Sequence, residues 1–126
     1  MAGLYISYGW INDIVECGFA GKSMVGLYLD FAVNSINVLD CMFEAPPGEL
    51  GVGIVVNSGS MVRIEGNTLE GLAGPAIIAN QVNSLAVRSN YFEGNNNEGR
   101  GRSNFASPAS ILPLLVSCGS ILTDCL

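Results

Sequence analysis

The side chains able to do chemistry are few, and their types decide much of what is left open. No histidine occurs among the 126 residues, which excludes a Ser-His-Asp or Cys-His nucleophile and any histidine-ligated metal. Carboxylates remain. Glu44, Glu70 and Glu93 recur at nearly equal intervals, and like charges held in register repel unless water or a cation such as Ca²⁺ neutralises them. A solvated acidic face is the plainer expectation, with no cofactor; a calcium site over the three glutamates is the alternative. Glu16 and Asp40 make a second acidic pair, again without a neighbouring cation. No residue is assigned a catalytic role, and the balance leans away from an enzyme. Tyr5 and Tyr28 lie a similar interval apart, and Ser7, Asp30, Asn57 and Asn80 recur beside them. Aromatic rings next to amide and carboxylate groups are a mixture that sugars bind, although ordinary protein edges carry it too.

Charge narrows the partners. Five Lys and Arg against eleven Asp and Glu give a net charge of −6, so nucleic-acid binding through clustered cations is not expected. Mean hydropathy is +0.42, yet the most apolar run, Ile111 to Val116, is short and contains Pro113. A bilayer needs roughly 18 to 20 apolar residues in a helix, so no membrane partner is expected. The start, Met1-Ala2-Gly3-Leu4-Tyr5-Ile6, lacks the basic and apolar regions of a signal peptide. No Asn is followed two positions on by Ser or Thr. The four cysteines, Cys17, Cys41, Cys118 and Cys125, form no CxxC pair and read first as small buried apolar residues.

The elements that position these residues come from an internal repeat. Gly3-Leu4-Tyr5-Ile6 is followed by Ile14, Cys17 and Phe19; Gly26-Leu27-Tyr28-Leu29 by Ile36, Val38, Cys41 and Phe43. Gly53-Ile54-Val55-Val56 leads to Val62, Ile64, Asn67 and Leu69, and Ala76-Ile77-Ile78-Ala79 to Leu85, Val87, Asn90 and Phe92. The anchors Phe19, Phe43, Leu69 and Phe92 keep a nearly constant spacing, which sets the period of the repeat. Alternating apolar residues in short runs bounded by Gly, Asn and Ser predict strands, with almost no helix. Two or three strands per copy with constant inward parity predict a parallel β-solenoid, each turn about 4.8 Å from the last. The expected coils are 3–24, 25–50, 51–73 and 74–94, then an insertion over 95–110 and a partial fifth coil over 111–126, all one domain. Leu112-Pro113-Leu114 would open that fifth coil.

Ile64-Glu65-Gly66-Asn67-Thr68-Leu69-Glu70-Gly71 and Val87-Arg88-Ser89-Asn90-Tyr91-Phe92-Glu93-Gly94-Asn95 resemble the repeat of the right-handed parallel β-helices of the pectin-lyase-like superfamily. That group includes polysaccharide lyases, pectin hydrolases, alginate epimerases and phage tailspikes. The resemblance implies an all-β right-handed helix of four to five coils, an extracellular or virion-associated setting and a polysaccharide as one class of partner. It also implies that Asn67 and Asn90 form an asparagine ladder, with Cys17 and Cys41 stacked in the same column as free thiols or, alternatively, as a disulfide. The repeat is scaffold and leaves the chemistry open. No position matches the family's catalytic residues.

Two features point to partners. On the first strand the outward parity falls on Tyr5, Tyr28, Val55, Ile78 and Pro113, and a continuous outward apolar row needs a cover. The cover is the 95–110 segment, a second subunit or a sugar. The site residues singled out are therefore Tyr5, Tyr28, Asp30, Val55, Asn57, Ile78 and Asn80, with self-association as the leading expectation. Arg100 and Arg102 in the insertion could meet an acidic partner. The second feature is at the ends, where no cap is recognisable, so the chain reads as a segment of a longer β-helical protein or as a subunit whose ends stack on partners. Glu65 and Arg88 are expected to pair across coils as a structural contact.

Overall fold

A computed structural model of the chain describes residues 1–31, 33–44, 49–95, 105–106 and 112–117. Expectations resting on Arg100, Arg102, Cys118 and Cys125 lie outside the described residues. Twelve strands follow one another and no helix occurs among the described residues: β1 (Ala2–Ser7), β2 (Trp10–Val15), β3 (Gly18–Phe19), β4 (Ser23–Asp30), β5 (Val33–Leu39), β6 (Met42–Glu44), β7 (Leu50–Glu65), β8 (Thr68–Glu70), β9 (Ile77–Arg88), β10 (Tyr91–Glu93), β11 (Phe105–Ala106) and β12 (Leu112–Ser117). All pairings are parallel, and each strand pairs with its counterpart one repeat away. The result is a β-solenoid of about four turns.

Three stacks of strands form the walls. β1, β4, the first half of β7 and the start of β9 make the first. β2, β5 and the second halves of β7 and β9 make the second, and because β7 and β9 run unbroken through the bend, these two stacks, with β11 and β12 added on β9, form one eight-stranded sheet. β3, β6, β8 and β10 make the third, a separate four-stranded sheet. The repeat predicts the register residue for residue: Leu4 pairs with Leu27, Leu27 with Ile54 and Ile54 with Ile77, while Phe19, Phe43, Leu69 and Phe92 are successive partners in the third stack.

The core lies inside the coil. Leu27, Leu29, Ile36, Phe43, Ile54, Ile64, Leu69 and Ile77 are completely buried. Phe19 and Phe43 stack with centroids 4.6 Å apart and planes 3° from parallel. Gly26 makes room for this stack: a Cβ there would come within 2.8 Å of both the Gly53 carbonyl oxygen and the Phe43 ring.

Bends repeat with the period. Ile11, Ser35, Met61 and Ser84 form one column of left-handed residues (φ 49 to 67°), and Glu16, Asp40, Gly66 and Ser89 form another (φ 52 to 71°). The first column solves a parity problem. Val33 and Ile36 both point inward although an odd number of steps separates them, which a regular strand cannot do. The left-handed residue between them is skipped in the pairing, as Asn34 pairs with Ser60 and Ile36 with Val62, so it acts as a stacked bulge that returns the following residues to the core.

The fifth turn departs from expectation. Phe105–Ala106, inside the stretch expected to be an insertion, pairs with Ile77 and Ile78 in the first stack. Leu112–Ser117 then pairs with Asn83–Arg88 in the second stack. Leu112-Pro113-Leu114 therefore does not open the fifth coil, and Pro113 does not continue the Tyr5–Ile78 row. Its alternating apolar pattern fits either strand of the repeat, so sequence alone could not separate the two positions.

Candidate functional site

Successive turns bring the predicted first-strand residues together. Tyr5 pairs with Tyr28, Tyr28 with Val55 and Val55 with Ile78, and the two tyrosine rings stack with centroids 5.6 Å apart. The row is less open than its parity suggests. Tyr5 is exposed and Tyr28 and Ile78 are half-buried, but Val55 is only 6% exposed. A valine flanked in the stack by a tyrosine and an isoleucine sits below the level of its neighbours.

Beside this row runs a hydrogen-bonded polar ladder. Asn80 Nδ2 donates to Asn57 Oδ1 (3.0 Å), Asn57 Nδ2 donates to Asp30 Oδ1 (2.8 Å), and the Tyr5 hydroxyl donates to Asp30 Oδ2 (2.7 Å). The Phe31 amide adds a fourth contact, to Asp30 Oδ1 at 3.0 Å. Asp30 is only 7% exposed. The donated hydrogen bonds, that of Asn57 foremost and then that of Tyr5, hold its carboxyl below the usual carboxylate range, and the Tyr5 phenol is raised by donating to it.

The structure adds a neighbouring surface that the sequence reading did not single out. Tyr8 and Phe31 stack with centroids 5.8 Å apart just past the polar ladder. Trp10, Ile11 and Met61 follow at the start of the second stack. Tyr8, Trp10 and Ile11 are 71%, 72% and 80% exposed, and Phe31 and Met61 are also exposed. Four of these five, Tyr8, Ile11, Phe31 and Met61, have positive φ. The available signals were the chain's one tryptophan and the interval from Tyr8 to Phe31, which equals that from Tyr5 to Tyr28. No Asp, Glu, Lys or Arg occurs in residues 5–11, 31–39, 51–62 or 71–87, the stretches that build this corner.

Elsewhere the expected columns are in place. Asn67 Oδ1 accepts from the Cys41 amide and Asn67 Nδ2 donates to the Val38 carbonyl, both at 2.9 Å. Asn90 repeats the pattern one turn on, accepting from the Asn67 amide and donating to Ile64 O. Asn95 makes an equivalent contact at the next bend, to Leu72 N and Leu69 O. Cys41 is buried and donates to the Ile14 carbonyl at 3.3 Å, the place an asparagine would take; Cys17 is exposed, and both are free thiols. Burial pushes the Cys41 thiol up. Glu44, Glu70 and Glu93 are successive partners in the third stack, and Tyr91 donates to Glu93. Among the described residues, no group of three or more His, Cys, Asp or Glu is arranged to hold a metal ion. Glu65 pairs with Arg88 at 3.2 Å as expected, and also with Arg63 at 2.6 Å.

Residues 1–109 match the family model described as the right handed beta helix region. The chain belongs to the right-handed β-helix family. No curated protein matches the sequence, and no solved structure matches the chain. The right-handed β-helix explains why chemically different residues fall into columns: each turn of the helix repeats one set of wall and corner positions, and side chains one repeat apart in sequence become neighbours.

Proposed function

We propose that the chain is a structural and interaction segment of a β-helical protein, of the kind tailspikes contain, and that it self-associates through the aromatic corner between the first and second stacks. One observation carries this reading: exposed Tyr8, Ile11, Phe31 and Met61 suffer two separate penalties at once. Large apolar side chains in water forgo burial. A left-handed backbone costs a non-glycine residue about 1 to 2 kcal/mol, and Asn or Gly would fill it more cheaply. Strain and exposure coinciding at four positions are explained if a partner surface covers them. Aromatic and methionine side chains without charge are the composition of an interface centre.

Charge placement favours a second copy as the partner. A net charge of −6 opposes self-association in general, but the acids Glu16, Asp40, Glu44, Glu70 and Glu93 sit at the second bend and on the third stack. The exposed side chains of the corner carry no charge, and the carboxylate next to them, Asp30, is nearly buried and bonded to Tyr5 and Asn57. Light scattering on the wild type and on Met61→Lys tests this. The wild type is expected to be a dimer or larger and the variant, which adds a charge to an exposed residue, a folded monomer. A monomeric wild type contradicts the reading.

A second reading, carbohydrate binding or polysaccharide degradation, is supported by the Asp30–Asn57–Asn80 ladder beside Tyr5 and Tyr28. It ranks lower because both Asp30 oxygens already accept hydrogen bonds and the two tyrosine rings cover one another's faces. Retention on a panel of acidic polysaccharides, lost in Tyr28→Ser without a change of molar mass, is the outcome that would favour it.

A further inference from the structure

The first two turns stack one cysteine on another. Val15 pairs with Leu39 on one side of Cys17 and Cys41, and Gly18 with Met42 on the other, so the two residues stand in register one turn apart. Their side chains make matching contacts. Cys17 Sγ lies 3.4 Å from the Val15 carbonyl oxygen and Cys41 Sγ lies 3.2 Å from the Leu39 carbonyl oxygen, in each case two residues back along the chain. The same contact on successive turns sets the sulfurs about 4.8 Å apart, the spacing of stacked strands. Cys41 Sγ also stands 3.3 Å from the Ile14 carbonyl oxygen, on the turn of Cys17. Three carbonyl oxygens therefore face the two sulfurs, an electron-rich setting that suits a cation. Cys41 is 2% exposed and Cys17 is exposed, so solvent reaches the pair from the Cys17 side.

We infer that Cys17 and Cys41 hold one soft monovalent metal ion, Cu(I) or the chemically similar Ag(I), between the first and second turns. Distances select this chemistry. Two metal–thiolate bonds of about 2.3 Å each, laid end to end, span about 4.6 Å, close to one turn. A disulfide instead needs Cβ atoms about 3.5 to 4.5 Å apart, nearer than stacked turns hold them. Zinc takes four ligands, and among the described residues no third His, Cys, Asp or Glu joins the pair. Soft thiolates select Cu(I), which accepts two sulfurs in a line. On binding, each sulfur loses its proton and forms one bond to the ion. Two thiols and one M⁺ thus give a bis-thiolate complex of charge −1 and two H⁺, with no change of oxidation state. Burial keeps the free Cys41 thiol protonated, so the ion has to displace that proton, and the Cys17 amide then donates to the Cys41 sulfur.

Calorimetric titration of the reduced chain with Ag(I), which is not oxidised by air, tests the site. The wild type is expected to take up one more tightly held equivalent than Cys17→Ser or Cys41→Ser. Both variants keep Cys118 and Cys125, so any silver those residues bind is common to all three proteins. Removing one of two ligands is expected to weaken the site by more than the roughly 10- to 100-fold that changes beyond the ligands themselves cost. The ion binds only where the turns are stacked, so one equivalent is expected to raise the melting temperature of the wild type and leave that of Cys17→Ser unchanged. X-ray absorption on the Cu(I) form, prepared without oxygen, is expected to show two sulfur neighbours. Cys17 is exposed, so Cys17→Ser is expected to keep the wild-type circular dichroism, and it decides the matter alone if Cys41→Ser does not fold. A wild type that binds no more silver than Cys17→Ser, or a Cu(I) spectrum with three or more sulfur neighbours, overturns the assignment.

Discussion

Asp30 holds a negative charge with neutral partners only. Among the described residues no cation pairs with it; Tyr5, Asn57 and the Phe31 amide supply the donors. Its pKa in the folded chain lies below the unfolded value of about 3.9, so between the two values the unfolded chain binds more protons. Its contribution to stability is complete above about pH 4 and is lost as pH falls through the folded pKa. Asp30→Asn, nearly isosteric, is expected to flatten the acid limb of a plot of melting temperature against pH. Tyr5 has the opposite sign: its raised pKa gives a contribution present below about pH 10 and lost as pH rises through the folded value, and Tyr5→Phe removes it. Asn67 is the residue on which the ladder depends most. Asn67→Ala leaves the Cys41 amide and the Val38 carbonyl unpaired in a buried bend, and each buried orphan costs about 1 to 3 kcal/mol. A loss of about 2 to 6 kcal/mol in urea unfolding is expected. The sequence shows the polar column and Asn67–Asn90 because identical residue types recur at the repeat interval. It does not show that Asp30 is nearly buried, since that depends on Tyr5 folding over it from the preceding turn.

At the level of strands and bends, pattern and structure agree wherever side-chain type reports position. The columns Leu4–Leu27–Ile54–Ile77 and Phe19–Phe43–Leu69–Phe92 align as their spacing predicts, because inward positions tolerate only apolar residues and a one-residue slip would expose them all. The left-handed bulges are invisible by contrast: Ile11, Ser35, Met61 and Ser84 share a backbone conformation and no side-chain property. Two substitutions separate these cases. Ile11→Asn removes a β-branched residue from a left-handed position, and is expected to stabilise the isolated chain by about 1 kcal/mol while weakening association. A melting temperature below wild type in dilute solution would count against the strain argument. Gly26→Ala sets a methyl group against the Gly53 carbonyl and the Phe43 ring and is expected to destabilise by about 1 to 3 kcal/mol, read as a shift of the urea midpoint with an unchanged slope. The misplaced fifth turn has the same origin as the hidden bulges. Phe105–Ala106 is a two-residue strand flanked by polar and glycine-rich sequence, too brief to produce a periodic signal.

Across the whole molecule, charge and apolar surface are segregated by face. The second bend and third stack carry most of the described acids, whereas the exposed side chains at the corner between the first two stacks are uncharged and apolar, four of them on left-handed backbone, with Asp30 nearly buried beside them. A parallel β-helix makes such segregation simple, because one residue choice repeated at the coil interval paints an entire stripe along the wall. That stripe makes self-association the central claim, and the molar mass of the 13.2 kDa chain in solution tests it most directly. Light scattering behind a sizing column, over a dilution series, is predicted to show a defined dimer or larger assembly that dissociates on dilution. A single species at 13.2 kDa at every concentration would contradict the account and leave the aromatic corner without the partner its strain and exposure require.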